Sequence, residues 1–292
     1  MPRATSPLRY PGGKTCLYPL VSSILRLNNL ELRPYAEPFA GGCGLALALL
    51  YGGHVSDIHI NDVDLSIWSF WHCVLNRTDE LVYLIEKTPI TVDEWRKQRE
   101  IYLLQDQEDI MSLGFSTFFL NRTNRSGIIK DAGVIGGLSQ KGNYKINCRF
   151  NRSDLIRRIR RIAKYKKNIH LYRKDALFFM QEIENLSVMP FICIDPPYFQ
   201  KGSSLYTSFY KPGDHEIISN IILNLSCPWI VTYDNAPTIA KLYEKMRLFQ
   251  FDINYSLETK RIGTELLIPS NGLTLPADLR DRQVSHALHQ AA

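Results

Sequence analysis

The chain has 292 residues, 45% of them hydrophobic, with a formal net charge of +6 and a pI near 8.9. That is enough for one large or two smaller domains with a core of their own. No apolar run approaches the roughly 20 residues of a membrane span. The first 14 residues lack the apolar centre of a secretory leader, and six scattered cysteines with no C-x-x-C suggest neither a zinc site nor a disulfide framework. The setting expected is reducing and cytoplasmic. The basic balance is compatible with nucleic acid without requiring it.

The first feature in chain order is Leu8-Arg9-Tyr10-Pro11-Gly12-Gly13-Lys14. Pro-Gly-Gly is a turn, and it precedes an amphipathic run over residues 17–27 that reads as a helix. The turn lets backbone amides and Lys14 approach an anionic group closely; the competing reading is a helix-entry turn with a solvated lysine. The spacing is not that of a P-loop. Next comes Tyr35-Ala36-Glu37-Pro38-Phe39-Ala40-Gly41-Gly42-Cys43-Gly44, then a small apolar helix over residues 45–50. A glycine-rich loop opening a helix is the dinucleotide-type arrangement, although the spacing is not G-x-G-x-x-G. Residues 55–60 read as a strand ending in Asn61-Asp62-Val63-Asp64. An acid about 20 residues past the glycines, at a strand end, is where a ribose diol is held. Asp62 is the first choice and Asp64 the second, since Asp64 also suits the cap of the helix over residues 65–75. Trp68, Phe70 and Trp71 on that helix read as core.

From residue 78 to 167 the strand–helix alternation stops. Residues 80–87 and 92–107 look helical, the second surface-like, and residues 114–120 form a buried aromatic helix or turn. Asn121-Arg122-Thr123-Asn124-Arg125-Ser126-Gly127 is polar and basic. Residues 143–150 alternate after a Lys-Gly-Asn turn, a hairpin signal. Ser153-Asp154 starts a helix over residues 155–165 with the stripe Leu155, Ile156, Ile159 and Ile162. Its other face holds Arg157, Arg158, Arg160, Arg161 and Lys164, charges of one sign that suit phosphate contact or a solvated face.

The α/β pattern resumes at residues 169–176. Asp175 ends that strand, placed either to hold the amino group of a cofactor adenine or to cap the next helix. Then comes the stretch that carries most chemistry, Phe191-Ile192-Cys193-Ile194-Asp195-Pro196-Pro197-Tyr198. Its apolar half reads as a buried parallel strand. Two prolines end the strand and stiffen its carboxyl edge, the edge where open α/β sheets bind ligands. A carboxylate and a carbonyl outside any ladder can accept both N–H bonds of an adenine amino group and aim its lone pair at an electrophile. Asp195 and the Pro196 carbonyl are those acceptors, and Tyr198 offers a ring for stacking. The competing reading is a plain Asp-Pro-Pro turn. A polar segment over residues 200–214 leads to a helix over residues 215–225. A strand follows over residues 229–233, and then an antiparallel pair over residues 249–257 and 265–269. The tail after Ser270 reads as frayed, with His286 and His289 in solvent rather than on a metal.

Taken in order, Tyr-Pro-Gly-Gly-Lys, Glu-Pro-Phe-Ala-Gly-Gly-Cys-Gly, Asn-Asp-Val-Asp, a middle region with Asn-Arg and Ser-Gly, and Asp-Pro-Pro-Tyr resemble the Dam-type (D12 class, α-group) DNA adenine N6-methyltransferases. The likeness runs from Pro7 to about Pro269. It implies an α/β fold, a doubly wound Rossmann-like seven-stranded sheet with the last strand antiparallel. It also implies a discontinuous catalytic domain over residues 1–77 and 168–292, and an inserted, mainly helical target-recognition domain with a β-hairpin over residues 78–167. The cofactor implied is S-adenosyl-L-methionine, held by Tyr10, Lys14, Glu37, Pro38, Phe39, Gly41, Gly42, Gly44, Asp62 and Asp175. Asp195, Pro196, Pro197 and Tyr198 would hold an adenine flipped from double-stranded DNA. Arg9 stands where the family has a basic DNA contact. Asn121, Arg122, Arg125, Ser126 and Lys130 with Arg157 and Arg161 complete the expected DNA surface. No metal is implied, and the setting implied is prokaryotic or phage-encoded. Relatives that read GATC carry an aromatic, Asn-Gly-Leu and an Arg where this chain has Arg125, Ser126, Gly127, Ile128 and Lys130, so the resemblance does not extend to that target. Two rival readings remain: RNA as the substrate, and a DNA-binding or cofactor-sensing homologue without catalysis.

Overall fold

Short apolar strands separated by helices dictate a parallel sheet covered on both faces. The computed structural model describes residues 5–10, 12–199, 210–255, 261–280 and 282–284, and its sheet follows that rule. Strands β1 (Tyr35–Glu37), β2 (Ile58–Asn61) and β4 (Phe191–Ile194) are buried throughout. With β3 (Ile169–Tyr172) and β5 (Trp229–Asp234) they pair in parallel, Tyr35 opposite both Ile58 and Phe191. Strand β7 (Arg261–Pro269) runs antiparallel between β5 and β6 (Leu248–Tyr255). The order β3-β2-β1-β4-β5-β7-β6 is the expected seven-stranded sheet with its last strand antiparallel, and the two-residue β8 (Gln283–Val284) is added beyond β6. Strand order reverses between β1 and β4. A crevice opens outside the carboxyl ends of strands at such a switch point.

One face is covered by α1 (Tyr18–Leu27), α2 (Gly44–Tyr51) and α3 (Leu65–Asn76). The core there continues without a break into α4 (Thr78–Lys87), α5 (Val92–Leu104), α6 (Ile110–Thr123) and α7 (Arg152–Lys164). Helix α6 lies close on α3 because Gly114 has no side chain. A Cβ there would meet the Ser69 carbonyl oxygen at 2.7 Å. Phe118 then stacks on Phe70 with ring centroids 5.7 Å apart. The other face carries α8 (Ala176–Ile183), α9 (Pro212–Leu223) and α10 (Pro237–Leu242) over a second core.

Three expectations need correction. Residues 143–150 do not form a hairpin: Ile146–Arg149 is a 3-10 turn, and Ile146 and Phe150 are its buried residues. Their spacing of four is helical, which the apparent alternation hid. Helix α5 stops at Leu104, where Gln105 turns left-handed (φ 49°), and it buries Trp95, Gln98 and Tyr102 despite its charged composition. The described residues after Ser270 are not frayed: Leu273, Leu275 and Leu279 are buried around α11 (Ala277–Arg280), and β8 pairs with β6. His286 and His289 lie outside the described residues, as does most of the polar segment over residues 200–214.

Candidate active site

Each strand of the parallel core delivers an acid or a turn to the same edge. Strand β1 ends in Glu37, whose carboxylate accepts from the Tyr35 hydroxyl at 2.9 Å and the Ala46 amide at 3.1 Å. Burial is the main influence on Glu37 and pushes its carboxyl up to about 8. The loop that follows bends at Gly41 (φ 45°), against which the Tyr10 ring packs so closely that a Cβ would sit 2.6 Å from it. Strand β2 ends just before Asp62, whose two oxygens accept the Gly41 amide at 2.9 Å and the Asp64 amide at 3.0 Å. Burial, then the neighbouring Asp64, raises the Asp62 carboxyl to about 7. Each Asp62 oxygen keeps a lone pair, so the pair can accept from a diol. Asp64 itself caps α3, accepting from the Ser66 amide at 2.8 Å. Asp175 caps α8 through the Leu177 amide at 2.8 Å and also faces the cavity.

Asp195 follows β4. The Thr232 hydroxyl of β5 donates to its Oδ1 at 2.8 Å, and Lys14 Nζ lies 2.9 Å from its Oδ2. Burial holds its carboxyl above the usual range, with Lys14 acting in the opposite direction. Lys14 also donates to the Tyr198 hydroxyl at 2.6 Å and to the Gly12 carbonyl at 3.0 Å, and it lies 3.5 Å from Glu265 Oε2. The Tyr198 hydroxyl donates to Glu265 Oε1. Lys14 therefore does meet carboxylates, and they belong to the chain itself. Past Tyr198 the backbone is pinned by the Phe199 amide, which donates to Asp234 at 2.9 Å.

These groups surround a cavity of about 490 Å³. Every residue assigned above to the cofactor lines it, as do Asp195 and Pro197, and Arg9, Arg122 and Ser126 from the DNA set. Pro196 and Tyr198, in the turn after β4, are buried, Tyr198 to 3% exposure. Asn121 is fully buried, and its amide clamps Arg9. It accepts from the Arg9 amide at 2.7 Å and donates to the Arg9 and Gly127 carbonyls, both at 2.8 Å. Arg122 reaches the Arg149 carbonyl at 2.9 Å and the Pro7 carbonyl at 3.4 Å. Burial and the nearby Arg9 and Arg158 disfavour its charged form. Arg125, Lys130, Arg157 and Arg161 are exposed. Arg157 pairs with Asp154, and Arg161 lies 3.8 Å over the Tyr51 ring.

Sequence reasoning missed Glu265 and Thr232 as parts of this site, and it named Arg158 only as one of the like charges of α7. Glu265 had a signal: one acid opening the apolar run Leu266-Leu267-Ile268, and it is 1% exposed. Thr232 had none, because a threonine in a strand is ordinary. Arg158 was hidden in a run of like charges. It donates to the Ser6 carbonyl at 2.9 Å and lines the cavity.

A sheet of this order, with acids gathered at its carboxyl edge around the strand-order reversal, defines a methyltransferase-like α/β protein. The chain belongs to the D12 class N6 adenine-specific DNA methyltransferase family, whose model matches residues 10–258. It is also similar to the Type II methyltransferase M.MjaIII of Methanocaldococcus jannaschii, with 23% identity over 221 residues, 70% of this chain and 73% of that protein.

Proposed function

We propose that this protein uses S-adenosyl-L-methionine to methylate N6 of adenine in double-stranded DNA. The observation that carries the reading is Asp195. It is a partly buried carboxylate at the carboxyl end of β4, oriented by Thr232 and Lys14 and opening on the cavity. The cavity residues fit the cofactor: Asp62 presents spare acceptors suited to two hydroxyls, and Phe39 and Tyr210 bring aromatic edges to the same wall, 5.8 Å apart. When bound, the cofactor supplies a methyl group made electrophilic by its sulfonium. The protein's part is to position the amine. Asp195 and the Pro196 carbonyl accept its two N–H bonds and hold the lone pair out of conjugation, and Asp195 stands ready for the proton that N6 gives up. Tyr198 is the stacking platform. Its hydroxyl is engaged with Lys14 and Glu265, and Lys14 Nζ lies 4.9 Å from its ring centroid, so an entering base must open that cluster.

Residues 78–167 are assigned to target recognition, with Arg125 and Lys130 as exposed readers and Arg9, Arg122 and Arg158 as a guanidinium wall facing the phosphates of the flipped nucleotide. Part of that wall is braced by backbone: the clamp by Asn121, and Gly127 (φ 77°), where a Cβ would meet the Arg9 carbonyl oxygen at 2.3 Å. The test is to incubate purified protein with the cofactor and duplex DNA, digest, and look for modified nucleosides by mass spectrometry. N6-methyladenine in duplex DNA is the expected product. The same mark only on RNA changes the substrate, and cofactor binding with no product on either leaves a silent homologue.

A further inference from the structure

Away from the cavity, at the outer edge of the sheet, three metal-ligating side chains converge. His59 of β2 and His170 of β3 are register partners in the parallel pair, so their side chains share one face, and their rings stack with centroids 4.4 Å apart. Asp57, just before β2, directs a single oxygen at both: Oδ2 lies 2.8 Å from His59 Nε2 and 3.4 Å from His170 Nε2. All three donor atoms lie within 4.8 Å of one another. The shell behind them is also built. Ser56 donates to the other Asp57 oxygen, and the Tyr172 hydroxyl lies 3.0 Å from His59 Nδ1, leaving Nε2 to face Asp57. Such outer partners fix the tautomer and aim of metal-binding histidines.

We propose that Asp57, His59 and His170 form a binding site for one first-row divalent transition metal, Zn²⁺ foremost, that ties the edge strand β3 to β2. Donors about 2.0–2.1 Å from a tetrahedral zinc stand about 3.3 Å apart. The two Asp57 separations, 2.8 and 3.4 Å, already bracket that value. Only the His59 to His170 distance has to close, and His170 is free to turn, with its side chain 45% exposed against 5% for His59. Two imidazoles and one carboxylate suit zinc, nickel or cobalt rather than calcium or magnesium, which prefer all-oxygen shells. Water completes the shell on the exposed side. A hydrogen-bonded Asp–His pair would account for His59 alone; it gives no reason for the second imidazole to point Nε2 at the same oxygen.

The test uses the full chain, stripped with chelator and titrated with Zn²⁺ by calorimetry, with melting followed in parallel. The expected result is one saturable site and a rise in Tm of about 3 °C or more at saturating metal. His170→Gln, a change at an exposed position, and Asp57→Asn should each weaken binding about tenfold or more. A His286→Ala/His289→Ala double variant should bind as the parent does. Cobalt substitution gives a second readout that needs no variant: a visible spectrum of nitrogen and oxygen ligation without thiolate charge-transfer bands. Absence of one-to-one binding overturns the proposal. So does unchanged affinity in both His170→Gln and Asp57→Asn, or a thiolate signature, which would move the metal to the exposed Cys16 or Cys148.

Discussion

Asp195 and Asp62 are both carboxylates at strand ends, and their surroundings separate their roles. Asp195 is aimed by Thr232 and Lys14. Asp195→Ala should therefore reduce methyl transfer by orders of magnitude in a single-turnover assay while cofactor affinity stays near the parent's, because the hydrogen bonds it removes serve the transition state. A rate within a few-fold of the parent would remove Asp195 from the chemistry. Asp62 is raised to about 7, and hydroxyl donors favour its ionised form. Cofactor affinity should then fall as pH drops through about 7, by up to about tenfold per pH unit. Asp62→Ala should bind more weakly by roughly 1.5–3 kcal/mol for each hydrogen bond removed and show a flat profile in calorimetry over the same range. The sign reverses for folding of the free protein. Glu37 and Asp62 are raised above their unfolded values, so what they contribute is present below about pH 4 and is lost as pH rises through about 7 to 8.

At the scale of elements, helix starts are the most local feature. Asp64, Thr91, Asp109, Asn151 and Asp175 each accept a backbone amide at the helix they open. The joint between α6 and the amino-terminal segment is of another kind. Asn121 makes its three bonds to residues 112 positions earlier and six later in the chain. Asn121→Ala leaves the Arg9 amide and two carbonyls without their partner inside the protein. It should cost about 2–4 kcal/mol in urea unfolding, since each unsatisfied buried group costs about 1–3 kcal/mol and Arg9 is only partly buried. A loss below about 0.5 kcal/mol would show that water replaces the clamp.

Over the whole molecule, reader and anchor are expected to be different surfaces. Arg125 stands at the tip of a segment braced by the bridge between Asn124 and Val134 and by Trp95 Nε1, which donates to Asn124 at 2.6 Å. A braced, exposed arginine suits bidentate contact with guanine, whereas α7 arginines that face phosphates carry no base information. Arg125→Ala should relax sequence preference. Arg157→Ala and Arg161→Ala should weaken binding to all DNA and flatten its salt dependence by about one unit of slope for each phosphate no longer neutralised. Mapping modified adenines on DNA treated with each variant, alongside salt titrations, checks both. Unchanged discrimination in Arg125→Ala, with the site altered by the α7 variants, would reverse the assignment.

Alternation of apolar runs, glycine turns and strand-terminal acids by itself marked the parallel strands and the acids beyond their carboxyl ends, because those signals are local: Asp62 and Asp195 directly follow their strands and Asp175 lies just past β3, while the seven-stranded order was expected from the family resemblance. The charged stretch of α7 showed its stripe the same way, with Leu155, Ile159 and Ile162 buried. Other features depended on which elements meet. Glu265 reaches Lys14 only because β7 is inserted antiparallel beside β5. Asn121 turns from surface to clamp only because α6 packs against the amino terminus. His59 and His170, more than a hundred residues apart, face one carboxylate only because β2 and β3 pair in that register. Register and packing partners are set by the sum of many burials across the chain, and no local window holds that sum.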